Sequence, residues 1–97
     1  MPLEDVKKSL VKDEKLILIE ISRIKKTKAG YFSENKLRKK RKCQGIDVSD
    51  VLHSLQDKFL TSQVNPGKKL WKLTREGKVL EHELLKEEIQ KALNSSD

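Results

Sequence analysis

Lysine and arginine crowd into two stretches of this sequence, and their spacing decides which chemistry is open to them. Between Arg23 and Lys42 there are ten basic residues against one acid, Glu34, and between Val64 and Val79 five against one, Glu76. These segments carry +9 and +4 within a net charge of +7. The densest part is Lys36, Arg38, Lys39, Lys40, Arg41 and Lys42; the second stretch adds Lys68, Lys69 and Lys72 in or beside a turn. Cations at this density attract a polyanion, and each phosphate they neutralise releases counterions, a gain that does not depend on base sequence. A basic run alone is often only a solvated face; the second basic stretch and the excess positive charge favour an interface. From Leu80 to Asp97 the balance reverses, with five acids against two lysines, so a partner or only solvent is expected there.

Other chemistries find little support. Cys43 is the only cysteine, so no intramolecular disulfide forms, and no ligand spacing typical of a metal site occurs. No metal or other cofactor is therefore expected, and a reducing, cytoplasmic compartment is. His53 has no nucleophile motif to serve as a base, and paired carboxylates in an apolar setting and nucleotide-binding glycine loops are missing, so an enzyme is not expected. Residues 1 to 20 carry acids throughout, with Leu16 to Ile19 the longest apolar run, so neither a signal peptide nor a membrane span is expected.

The elements that position the cations follow from pattern. With 97 residues, 35% of them apolar and four aromatic, the chain allows one domain whose core is built from Leu, Ile and Val, and a partner chain could add stability. Leu3, Val6 and Leu10 form a short amphipathic segment after Pro2. From Glu14 to Lys28, Leu16, Ile17, Leu18, Ile19, Ile21 and Ile24 put a wide stripe on a helix centred on Ile17, Ile21 and Ile24. The two segments are in phase, which leaves one long helix or two equally open.

Ala29-Gly30 ends that helix, Tyr31-Phe32 suits a β bridge, and Ser33 caps a second helix running to about Gln44. Leu37 and Cys43 are its inward residues and cations fill most of the rest. Gly45 permits a left-handed turn, and Asp47, with Asp50 in the capping-box position, starts a third helix over Val48 to Lys58. Its inner face is Val48, Val51 or Leu52, Leu55 and Phe59. Its outer face is Ser49, Asp50, His53, Ser54 and Asp57.

Phe59 to Val64 and Lys69 to Thr74 alternate as strands do, and Asn65-Pro66-Gly67-Lys68 between them predicts a type II turn with positive φ at Gly67. In the second strand either Trp71 and Leu73 point inward or a bulge intervenes, and the first is favoured. Thr74 then caps a helix through Val79, Leu80, Leu84, Leu85, Ile89 and Leu93 that packs on its own core or on a two-fold partner. The expected domain is residues 1–93, with its core at about 13–80, the last helix at about 75–93 and a disordered polar tail at 94–97.

The string from Trp71 to Leu80, apolar-x-Leu-Thr-x-x-Gly-x-x-Leu directly after a two-stranded turn, resembles the closing segment of winged helix-turn-helix domains of the MarR-like and PadR-like kind. The likeness is strong over about twenty residues and loose over most of the chain. It implies an α+β, mostly helical fold with a two-stranded wing hairpin flanked by N- and C-terminal helices. It also implies a transcriptional regulator that binds double-stranded DNA, with the third helix in the major groove and the turn on a flanking groove or phosphate.

Chemistry modifies that implication. The third helix carries Asp47, Asp50 and Asp57, and a carboxylate in a phosphate-lined groove costs energy unless it accepts from a cytosine amino group. Ser49, His53, Ser54 and Gln56 could reach base edges, but the basic second helix is the better electrostatic contact, lying across the backbone. Phosphate binding with modest sequence preference is the expectation. An interaction adaptor for a basic partner, or an RNA-binding variant, fits the same residues, as does a homodimer through a terminal helix.

Overall fold

A computed structural model of the chain describes residues 2–94. Eight regular elements follow one another: α1 (Leu3–Ser9), α2 (Lys12–Arg23), β1 (Tyr31–Ser33), α3 (Glu34–Arg38), α4 (Val48–Asp57), β2 (Thr61–Asn65), β3 (Leu70–Leu73) and α5 (Arg75–Asn94), with one 3-10 turn at Arg41–Cys43. The fold is α+β and mostly helical, with one antiparallel sheet in the order β1-β3-β2. Of the tail expected at 94–97, Asn94 closes α5 and the rest lies outside the described residues.

The N-terminal stripe forms two helices. Val11 is extended (φ −83°, ψ 168°), and its N–H donates to Glu14 Oε1 at 2.9 Å, one half of a capping box. The break lets Val6 and Leu10 stay buried while Ile17, Leu18 and Ile21 fill the centre of the core. Two ion pairs, Lys7 to Glu87 at 2.6 Å and to Glu83 at 3.4 Å, join α1 to α5. α2 stops at Arg23 rather than Lys28. Downstream, Thr27 N–H donates to Tyr31 O at 2.9 Å and Tyr31 N–H to Thr27 Oγ1 at 3.1 Å, a local closure that competes with helix.

The second helix is also shorter than the pattern suggests, ending at Arg38 instead of about Gln44. Leu37 and Cys43, six residues apart, would lie about 120° apart on a continuous helix, at opposite limits of the stripe that faces one core. An extended Lys40 (ψ 135°) and the 3-10 turn after it bring both inside. The carbonyls freed at the end of α3 are partly satisfied by Gln44 Nε2, which donates to Arg38 O at 3.0 Å and Lys40 O at 3.3 Å. Ser33 precedes α3 without a side-chain capping bond.

α4 begins as its residues predict: Asp50 N–H donates to Asp47 Oδ1 at 3.1 Å, and Gly45 takes φ +83° ahead of it. Val48, Leu52 and Leu55 are buried and Val51 only half so, which resolves that pair of alternatives. Phe59 departs from expectation. It is 77% exposed at φ +63°, and Leu60 is buried in its stead. The helix closes in a Schellman motif, with Phe59 N–H donating to Gln56 O and Leu60 N–H to Leu55 O, both at 2.9 Å. That motif demands a left-handed residue after the cap, and Phe59 occupies it.

In the hairpin, β2 and β3 pair as Thr61 with Leu73, Ser62 with Lys72, Gln63 with Trp71 and Asn65 with Leu70, leaving Val64 as an extra residue. Trp71 and Leu73 point inward. The turn is not type II at Gly67: the positive φ falls on Lys69 (+53°), Asn65 Oδ1 accepts from Lys68 N–H at 3.1 Å, and Lys69 N–H reaches Pro66 O at 3.3 Å. The asparagine side chain completes the turn, so glycine's freedom is unused there. β1 pairs fully with β3, and Phe32 lies opposite Trp71 in the core.

Thr74 joins hairpin to α5. Its Oγ1 accepts from Gly77 N–H at 3.0 Å and donates to Phe59 O at 2.6 Å. Gly77 sits against Leu60, where an added Cβ would come within 1.9 Å of the carbonyl oxygen. Hence Thr-x-x-Gly: one residue caps, and the other lets backbone meet backbone. α5 packs through Gly77, Leu80 and Leu84, after which apolar residues such as Ile89 (54% exposed) face outward.

Candidate nucleic-acid interface

The cations do not form one stripe. Lys36 lies on exposed α3, whose first residue, Glu34, donates its N–H to Lys69 O at 3.0 Å. The start of α3 is thereby fixed to the turn end of the hairpin, and Lys36 and Leu70 line a common depression. Lys72 stands on the outer sheet face between its cross-strand neighbours Tyr31 and Ser62. Lys36, Lys68, Lys69 and Lys72 therefore belong to one region. Among the described residues none of the four forms an ion pair.

The remaining cations of the run diverge at the Lys40 break. Arg38 is not free: its Nη2 lies 2.9 Å from Glu34 Oε2, while Glu34 Oε1 accepts from Trp71 Nε1 at 3.2 Å. This carboxylate is 2% exposed, so Arg38 serves as its counter-ion while Glu34 itself fixes the core indole. Lys39 ends α3, Lys40 is half-buried, and Arg41 and Lys42 sit in the exposed 3-10 turn. Lys42 borders a groove of about 480 Å³ between α2 and α5, where Glu20, Glu87 and Glu88 also lie. It belongs to a region of mixed charge, apart from the hairpin.

α4 is poor in cations. Lys58, the one base at its end, donates to Glu14 Oε1 at 2.6 Å and to Ser9 O at 3.1 Å, and Ser54 donates to Glu14 Oε2 at 2.7 Å. Burial pushes the Glu14 carboxyl up, but the Lys58 ammonium, the Val11 N–H and the Ser54 hydroxyl together hold it below its ordinary range. His53 is exposed. Its Nδ1 lies 2.8 Å from Ser49 O, and its ring meets Trp71 edge-on at 5.0 Å. Ser49 is half-buried, and Asp47, Asp50 and Asp57 are exposed. The outward side of α4 is acidic, with His53 its one fully exposed candidate for a base edge.

The apolar stripe from Glu14 to Lys28 predicts Lys25 and Lys26 on a helix. In the structure they flank Tyr31 and Ser33 beside Lys36. Their signal was present in the charge count over Arg23 to Lys42, but the early end of α2 was not. Among the described residues no cluster of His, Cys, Asp or Glu could hold a metal ion, and no helix is long and apolar enough to cross a membrane. No protein-family model, curated protein or solved structure matches the chain significantly.

Proposed function

We propose that the chain is a winged helix-turn-helix domain that binds double-stranded DNA, acting in transcription regulation through phosphate contacts more than base readout. The element order from α2 to α5, with β2 and β3 as the wing, supports the winged-helix assignment. The observation that carries the binding surface is the bond from Glu34 N–H to Lys69 O, which joins the start of α3 to a hairpin bearing Lys68, Lys69 and Lys72. Lys36 and Lys39 extend the surface along α3. Ammonium groups on a protruding turn reach phosphates without desolvating a core, and each neutralised phosphate adds to affinity. The test is affinity for random duplex across salt concentrations. Five phosphate contacts give a slope of log affinity against log salt of about −4.5, and a flat response sinks the proposal.

The acidic outer side of α4 supports a second reading, an adaptor for a basic protein partner. Asp50→Lys with Asp57→Lys separates the two. Stronger duplex binding with partner capture unchanged favours DNA; loss of a basic partner favours the adaptor. Competition by structured RNA distinguishes the RNA-binding variant of the first reading.

A further inference from the structure

The depression of about 290 Å³ formed by Lys25, Lys26, Thr27, Tyr31, Ser33, Lys36 and Leu70 has an unusual lining: three ammonium groups, three hydroxyl-bearing side chains, one leucine and no acid. Two sides are fixed by backbone bonds. Thr27 and Tyr31 are closed on each other by bonds of 2.9 and 3.1 Å, with Gly30 in the left-handed region at φ +86° between them. Ser33 is registered against Leu70, and the next residue, Glu34, is bonded to Lys69. Tyr31 and Ser33, two apart on β1, share the outer face of the sheet.

Four of the six polar side chains here have no partner among the described residues. Among the described residues Lys25 and Lys36 form no ion pair, and neither the Tyr31 phenol nor the Ser33 hydroxyl is hydrogen-bonded within the chain. Thr27 Oγ1 accepts from Tyr31 N–H and keeps its own proton to donate. Lys26 touches only the Ile24 carbonyl, at 3.4 Å, and feels the charge of Glu81 on α5. Three cations with hydroxyl donors, at a volume near the lower end of the roughly 300–1,000 Å³ of small-ligand sites, suit a compact anion rich in acceptor oxygens.

We propose that this depression binds a phosphomonoester dianion, carried either by the end of a nucleic-acid strand or by a free phosphorylated small molecule. A phosphomonoester supplies close to two negative charges at neutral pH and three terminal oxygens, against the single charge of a backbone diester. The site needs no duplex and does not rest on the wing contacts.

The test titrates the full chain with inorganic phosphate at constant ionic strength, following backbone amide resonances. Saturable shifts centred on Thr27, Gly30, Tyr31 and Ser33 are expected. Lys25→Gln with Lys26→Gln should weaken phosphate at least about tenfold, the scale of one charge-assisted hydrogen bond, while distant resonances stay in place and report an intact fold. Lys42→Gln, in the mixed-charge groove beside α5, should leave phosphate binding unchanged. Shifts that never saturate, that chloride reproduces, or that survive the double variant overturn the proposal. A second arm compares one oligonucleotide with and without a 5′-phosphate: a preference lost in the double variant identifies a strand end, and equal affinity with phosphate binding intact identifies a small molecule. A flat salt dependence for duplex alongside saturable phosphate binding removes the wing surface alone.

Discussion

Phe59 holds a left-handed backbone conformation with its ring in water, so the residue contributes strain without contributing burial. For a non-glycine residue that conformation costs roughly 1–2 kcal/mol, and the larger unfolded-state entropy of glycine returns part of it. Phe59→Gly should therefore stabilise the fold by about 1 kcal/mol in denaturant unfolding, with the slope unchanged. Glu14 presents the opposite case, a carboxylate 2% exposed whose cation comes from the far end of α4. Lys58→Met should cost about 3 kcal/mol at neutral pH by stranding that charge. Because the Glu14 carboxyl is held below its ordinary range, the stability it contributes is complete above that range and fades as pH falls through the folded value. The gap between Lys58→Met and the parent should accordingly narrow in acid, as read from unfolding midpoints at several pH values. An equal gap at every pH contradicts the ion pair.

Elements show which local rules could be read in advance. Alternation along β3 fixed Trp71 and Leu73 inward because period two admits one solution on a half-buried strand. Asp47 and Thr74 declared two helix starts because each carries an oxygen for an orphan N–H three residues on. What stayed hidden involves choices between chemically similar neighbours or contacts across the chain. Phe59 and Leu60 are both apolar, and only the closing geometry of α4 decides which turns in. Glu34 and Arg38 are visible as an i,i+4 pair, but nothing local says that Trp71 buries the carboxylate. The basic run reads as one helix, whereas the chain turns at an extended Lys40 and buries Leu37 and Cys43 on either side of the turn, which changes the candidate interface. The Thr74 to Gly77 corner offers the sharpest test at this scale. Gly77→Ala puts a Cβ into the Leu60 carbonyl, where backbone must shift, and should cost about 3 kcal/mol. Val79→Ala, on the exposed side of α5, should cost under about 1 kcal/mol.

Across the whole molecule, charge is sorted by region. The hairpin and the start of α3 gather unpaired lysines, the outside of α4 gathers aspartates, and Lys42 lies with glutamates beside α5. If duplex binds as proposed, position in the fold should count for more than position in the sequence. Lys36→Gln with Lys69→Gln should make the salt slope shallower by about two contacts, or about 1.8, whereas Lys42→Gln from the same basic run should leave it unchanged. Equal losses from both variants would mean that the run binds as a flexible cationic tether.

The chain holds a single tryptophan, fully enclosed, with its ring nitrogen on the Glu34 carboxylate and its ring perpendicular to that of His53. One chromophore thus touches both the charged start of α3 and the exposed side of α4. Its emission is a label-free optical gauge of docking at either surface, and His53→Ala alongside Arg38→Gln would tell the two sources of signal apart.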